Sequence, residues 1–360
     1  VQLSKNWHNR RAMGHYFMPY TLLPAKKNGA YLLRVAYGFY GTLPAASHAN
    51  LSLIGYNQNA GNGRWEQLAI GCWGETICFD MDMSLVDIAV TDIRMLMTRN
   101  GRHGRAWGWT NAGWGGDWLN IEDANQKKYF WKDLKTAYLS QGPCLTDVRY
   151  DGYYGANREV DFAAQVQTLR TDDFCRTFQN LSYEFTRDVS AKNVRLYKLG
   201  RTRNYQTPRI AYGNGAGLIE ELATPDVLER GELFLAPVEL SGAGPYWVAL
   251  VGASEATSQR AKPNGYRALI IRKYRAVLDG MTYSHPTICA PVHAATPNNL
   301  DIELLPPEGI REFRQGDRIE LELELVTLPR TADDYYGPNE SFRSHLAENP
   351  DSWKTTYREA

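Results

Sequence analysis

Residues 319 to 326 read Ile-Glu-Leu-Glu-Leu-Glu-Leu-Val, with an apolar residue at every second position. Only an extended chain, whose side chains alternate between two faces, places all of those apolar residues on one side. A helix of the same sequence would scatter them around its circumference. Ile319, Leu321, Leu323 and Leu325 are therefore expected to face a core, and Glu320, Glu322 and Glu324 to face water, which makes these glutamates poor catalytic candidates. Val160, Phe162, Ala164, Val166 and Thr168 repeat the period.

The rest of the chain agrees with strands. Extended segments are expected over 31–37, 51–54, 87–99, 127–132, 137–139, 148–154, 176–186, 193–199, 246–251 and 266–278, each ending near glycine, proline or a polar cluster. Helical signals are confined to one turn over 225–230 and a short helix over 338–348, with Pro338 at its start and Pro350 beyond its end. Many strands and little helix predict an all-β protein, its large antiparallel sheets packed as a β-sandwich. The expected organisation is an N-terminal β region over 1–156, a β-sandwich region over 157–330 continuous with it, and a C-terminal tail over 331–360.

Inside the first region, seven of the ten tryptophans fall between Trp65 and Trp131. They stand among glycines and carboxylates. The run from Trp107 to Trp118, W-G-W-T-N-A-G-W-G-G-D-W, reads as an irregular loop, and loops lie on the surface. Flat rings beside carboxylates suit a saccharide, whose C–H face lies on an indole while its hydroxyls find charged acceptors. Trp73, Trp107, Trp109, Trp114 and Trp118 are the expected sugar platforms. Buried aromatic core is the competing reading for any one of them.

Forty basic and forty acidic side chains cancel, so net charge offers no reason to expect nucleic acid or an anionic membrane as a partner. No run of about 18 apolar residues is present, so no membrane-spanning helix is expected. Five scattered cysteines make neither a zinc ribbon nor a disulfide framework, and buried free thiols are expected, including at Cys72 and Cys78. The first residue is Val1 rather than an initiator methionine, which fits a processed chain and an extracellular or periplasmic location. The motifs of nucleotide-binding loops, serine-hydrolase elbows and zinc proteases are missing from the sequence.

The succession E-V-D-F-A-A-Q-V-Q-T-L-R-T-D-D-F, F-Q-N-L-S-Y-E-F-T-R-D-V, R-L-Y-K-L-G and G-D-R-I-E-L-E-L-E-L-V-T-L-P-R, spread over 158–330, resembles the β-supersandwich modules of galactose-mutarotase-like carbohydrate enzymes. Such modules occur in many polysaccharide lyases and some glycoside hydrolases. The resemblance covers about half the chain and implies a glycan as partner.

Three groups of residues suit chemistry on a glycan. Trp73-Gly-Glu75 leads to Asp80 and Asp82, and with Asp117 these supply the two carboxyl groups that glycosidic hydrolysis needs on opposite sides of the bond. Arg102, His103 and Arg105 could neutralise a uronate carboxylate and provide a base for β-elimination. For that lyase reaction the resemblance implies a tyrosine as acid or base, with Tyr154 or Tyr335 as candidate. Carboxylate-based hydrolysis is the leading expectation, followed by elimination on a uronate-containing glycan and by a non-catalytic carbohydrate-binding or structural module. No cofactor is expected. Asp80-x-Asp82-x-Ser84 opens like a calcium loop, yet Leu85 stands where that loop needs glycine, and position 91 is Thr rather than Glu. A homo-oligomer is compatible with everything in the sequence.

Overall fold

The residues with a two-residue period lie in the strands Val160–Leu169 and Arg318–Leu328, and Tyr246–Val251 and Tyr266–Leu278 are strands as expected. In the computed structural model the described residues are the strands 2–6, 16–20, 49–54, 67–72, 75–80, 90–94, 98–99, 107–108 and 114–116, then 117–328 apart from 142–144, 170–174, 204–208, 226, 230, 252–265 and 293–298. Side chains are described for most residues from Asp117 to Leu325. The expected strand over 31–37, the helix over 338–348 and Tyr335 lie outside the described residues.

All described pairings are antiparallel, and no described residue is helical. A ten-stranded sheet runs in the order Trp131–Gln141, Leu145–Tyr154, Val160–Leu169, Cys175–Phe185, Arg318–Leu328, Tyr266–Leu278, Tyr246–Val251, Arg209–Asn214, Gly217–Ala223, with Met281–Tyr283 beside the sixth of these. A nine-stranded sheet runs Leu233–Glu239, Thr287–Pro291, Asn299–Leu305, Tyr197–Arg203, Trp114–Gly116, Val90–Arg94, Glu75–Asp80, Gln67–Cys72, Ala49–Ile54. One core joins them. Leu181, Tyr183, Leu321, Leu323, Leu269 and Ile271 of the first sheet share a buried cluster with Ile288, Leu300, Ile302, Leu304, Tyr197 and Leu199 of the second. Gln179 ties the sheets together. Its carbonyl accepts the Trp118 Nε1–H at 3.0 Å and its amide donates to the Tyr197 hydroxyl at 3.2 Å, so a polar group inside an apolar layer keeps partners on both sides.

A small four-stranded sheet, ordered Lys128–Tyr129, Asn120–Asp123, Val189–Arg195, Glu312–Phe313, lies next in sequence to the nine-stranded one. Leu196 separates Val189–Arg195 from Tyr197–Arg203, so the single strand expected over 193–199 serves two sheets.

Two expectations are corrected here. Over 225–230 the described residues form no helix; so short a stretch would fix several residues for one or two hydrogen bonds, which is the unfavourable nucleation step. Glu324 does not face water. The strand Arg318–Leu328 is the fifth in the ten-stranded sheet, and the outer face around Glu324 is shielded too, with Phe178 and Ile270 opposite it in register and buried. Its partner comes from a β-bulge between Ile271 and Lys273, which leaves Arg272 as the extra residue. Both Nε and Nη2 of Arg272 donate to Glu324 Oε2, at 2.9 and 2.7 Å. Glu320 and Glu322 are half-buried, and Glu320 collects Arg318, Lys273 and Arg275 at 3.0, 3.3 and 3.7 Å.

The strand Trp131–Gln141 ends the ten-stranded sheet in a way that discourages further pairing. Its register shifts twice, Asp133 takes a positive φ of 51°, and Lys132 and Lys135 are exposed. Replacing both lysines with valine is expected to leave the unfolding midpoint nearly unchanged and to raise light scattering on concentration, because the charges that oppose edge-to-edge association are gone.

Candidate functional site

Where the four-stranded and nine-stranded sheets meet, a cleft of about 260 Å3 opens, lined by Asp117, Trp118, Asn120, Lys128, Phe130, Arg195 and Lys198. Backbone pairing positions its walls. Asp117 and Lys198 exchange both backbone hydrogen bonds, at 3.1 and 2.8 Å, and Asn120 stands opposite Arg195 in register. Phe130 occupies the break between Lys128–Tyr129 and Trp131–Gln141, its carbonyl accepting from the Gly155 amide at 3.0 Å. Phe130 is 40% exposed, unusual for a residue with so large an apolar side chain.

The charged groups are held in sequence. Arg195 donates to Glu303 Oε1 at 2.7 Å and to Asn120 Oδ1 at 3.0 Å. Lys198 Nζ lies 3.3 Å from Asp301 Oδ2, and the other oxygen of Asp301 is buried with no hydrogen-bond partner among the described residues. Asp117 is buried and accepts the Trp118 amide at 2.9 Å. Cys289 Sγ sits 3.9 Å from Glu303 Oε2; burial, then the charge of Glu303, pushes its thiol up to about 12, so it is an inert neutral thiol.

Of the residues singled out from sequence, Asp117 and Trp118 come together at this cleft. Trp118 is nonetheless a core residue, 1% exposed, with ring centroids 5.4 Å from Tyr150 and 4.9 Å from Phe162. The surface-platform expectation is overturned for it because the end of the tryptophan run is not an irregular loop: Trp114–Gly116 joins the nine-stranded sheet and Asp117 bridges to Lys198. Tyr154 is also corrected. It is fully buried, edge-on to Phe162 at 5.5 Å, and burial, then the charge of Asp117, holds its hydroxyl well above the ordinary tyrosine value. A group so sealed cannot exchange protons with a substrate.

Glu75 and Asp80 begin and end one strand by their backbones. Cys72 pairs in register with Glu75 and Cys78 with Ala69, so the two cysteines are not cross-strand neighbours. Trp107 and Trp114 are placed by their backbones on strands. Trp73, Asp82, Arg102, His103, Arg105, Trp109 and the remainder of the calcium-like segment lie outside the described residues.

Phe130, Lys128, Asn120, Arg195 and Lys198 were missed from sequence. A signal for Phe130 existed: Tyr129-Phe130-Trp131 between lysines cannot all face one core on a chain whose sides alternate. Nothing comparable marks Arg195 and Lys198, which stand in an ordinary strand pattern.

No family model matches the chain, and no curated protein sequence does. Solved structures similar to it include the GH36 alpha-galactosidase AgaB from Geobacillus stearothermophilus, at 10% identity over 73% of this chain and 38% of that one, with a TM-score of 0.35. The galactosidase domain of alpha-galactosidase-sucrose kinase AgaSK matches at 11% identity over 72% and 39%, TM-score 0.35. The alpha-galactosidase from Lactobacillus brevis matches at 8% identity over 73% and 38%, TM-score 0.37. The chain thus spans well under half the length of these enzymes, and at this level of likeness no residue role passes from them to it.

Proposed function

We propose that this chain is a glycan-binding β-sandwich domain whose ligand sits in the cleft beside Phe130. The observation that carries the reading is one exposed aromatic ring at a cleft that also presents a carboxylate, an amide and three cationic groups, from Asp117, Asn120, Lys128, Arg195 and Lys198. An apolar face next to several directional donors and acceptors is what a saccharide ring requires. Hydrolysis receives less support from this cleft. It needs two carboxyl groups across a glycosidic bond, whereas Asp117 is the one carboxylate among the described lining residues, and Asp301 and Glu303 are engaged in ion pairs behind them.

Affinity electrophoresis through gels containing plant, algal and bacterial polysaccharides tests the proposal. Retardation by at least one of them, weakened by about tenfold or 1.4 kcal/mol in Phe130→Ala, is the expected result. The exposed ring contributes little to the core, so the variant should unfold at the same urea concentration as the parent. Unchanged retardation in a folded Phe130→Ala variant would move the site elsewhere. Release of reducing sugar, or of an ultraviolet-absorbing unsaturated product, would assign hydrolysis or elimination instead.

A further inference from the structure

We infer that the cleft selects glycans bearing an acidic substituent, a uronate carboxylate or a sulfate ester, with Arg195 and Lys198 as the groups that take the oxyanion and Lys128 adding charge at the rim. This rests on the glycan-binding reading and names the class of ligand. The reason lies in how the charges are layered. The side chains of Arg195 and Lys198 are 30% and 16% exposed, while those of their partners Glu303 and Asp301 are 10% and 4% exposed. The cations line the cleft; the two carboxylates that pair with them do not.

Among the described lining residues three cations face one carboxylate, with Glu303 and Asp301 paired behind two of those cations. That carboxylate, Asp117, already accepts the Trp118 amide through Oδ1. Lys128 has acidic neighbours of its own at the rim, since Glu122 stands opposite it in register while also lying 3.9 Å from Lys192, and Asp123 accepts the amides of Asn125 and Lys127 at 2.9 Å, so the oxyanion is assigned to Arg195 and Lys198. Arg195 is suited to an oxyanion in a second respect. Glu303 and Asn120 take one N–H from each terminal nitrogen and fix the guanidinium plane, and a guanidinium carries five such donors, so an already oriented fork retains free N–H groups. A neutral sugar could use these donors singly, but an oxyanion gains from their combined charge as well.

The test uses matched pairs that differ in the acidic group alone: oligogalacturonate against its methyl ester, and a sulfated galactan against the same galactan after desulfation. Titration calorimetry on the full chain is expected to show at least one acidic member binding about tenfold or more tightly than its neutral partner, with the gap narrowing as salt is raised. Lys128→Ala, an exposed change that leaves the core intact, should narrow the same gap by a few-fold, and Arg195→Gln should close it. Urea unfolding of Arg195→Gln accompanies that measurement because Glu303 would lose its partner. Equal binding of both members of every pair, or preference for the neutral ones, overturns the inference and leaves glycan binding standing. Failure of every charged and neutral glycan to bind overturns both.

Discussion

Glu324→Ala is expected to lower the free energy of unfolding by about 3–5 kcal/mol, because it removes the buried carboxylate that accepts from both Nε and Nη2 of the Arg272 guanidinium. The pair is sealed: Glu324 is fully buried and its partner's side chain nearly so. Urea denaturation gives the value directly, through the shift of midpoint at constant slope. Breaking the pair and removing it are different experiments. Arg272→Met combined with Glu324→Leu deletes both charges and fills similar volume, so it should restore most of the loss, and could leave the protein as stable as the parent. A single Glu324→Ala variant as stable as the parent would show that the carboxylate is solvated after all.

Trp118→Ala is expected to cost a further amount of the same size, about 3–5 kcal/mol, by opening a cavity beside Tyr150 and Phe162 and leaving the Gln179 carbonyl without its buried donor. Trp118→Phe keeps most of the volume and should lose about 1 kcal/mol, chiefly the hydrogen bond. These variants separate core from platform. A sugar platform would lose affinity and keep its stability. A core ring loses stability first, and its effect on glycan binding follows from displacement of Asp117, whose Oδ1 is bound to the Trp118 amide. Loss of retardation by Trp118→Ala at full stability would return Trp118 to the surface role that the sequence suggested.

Much of the sheet structure was legible because side-chain alternation is a local property. Ile319 to Leu325 and Val160 to Val166 announce a strand whatever surrounds them, since no other backbone collects their apolar side chains on one face. The scarcity of helix followed in the same way. The cleft was legible only in Asp117 and its neighbour, and there for a partly mistaken reason: the density of glycine around Trp114 suggested a loop, yet pairing with Val90–Arg94 and Tyr197–Arg203 draws Trp114–Gly116 into a sheet. Phe130 was hidden within an aromatic triplet that read as one strand and is in fact interrupted at that residue.

By itself the sequence determined that this chain builds antiparallel sheets, and which residues of each strand lie on a common side. It could not determine which sides are covered. Burial of Glu324 depends on its strand lying fifth in a sheet of ten, and the exposure of Phe130 depends on where the small four-stranded sheet meets the larger one. Both are consequences of contacts between residues far apart in the chain. Periodicity reports on neighbours two positions away, whereas solvent exclusion, and the charge that it leaves at a surface, are set by whatever packs from a distance.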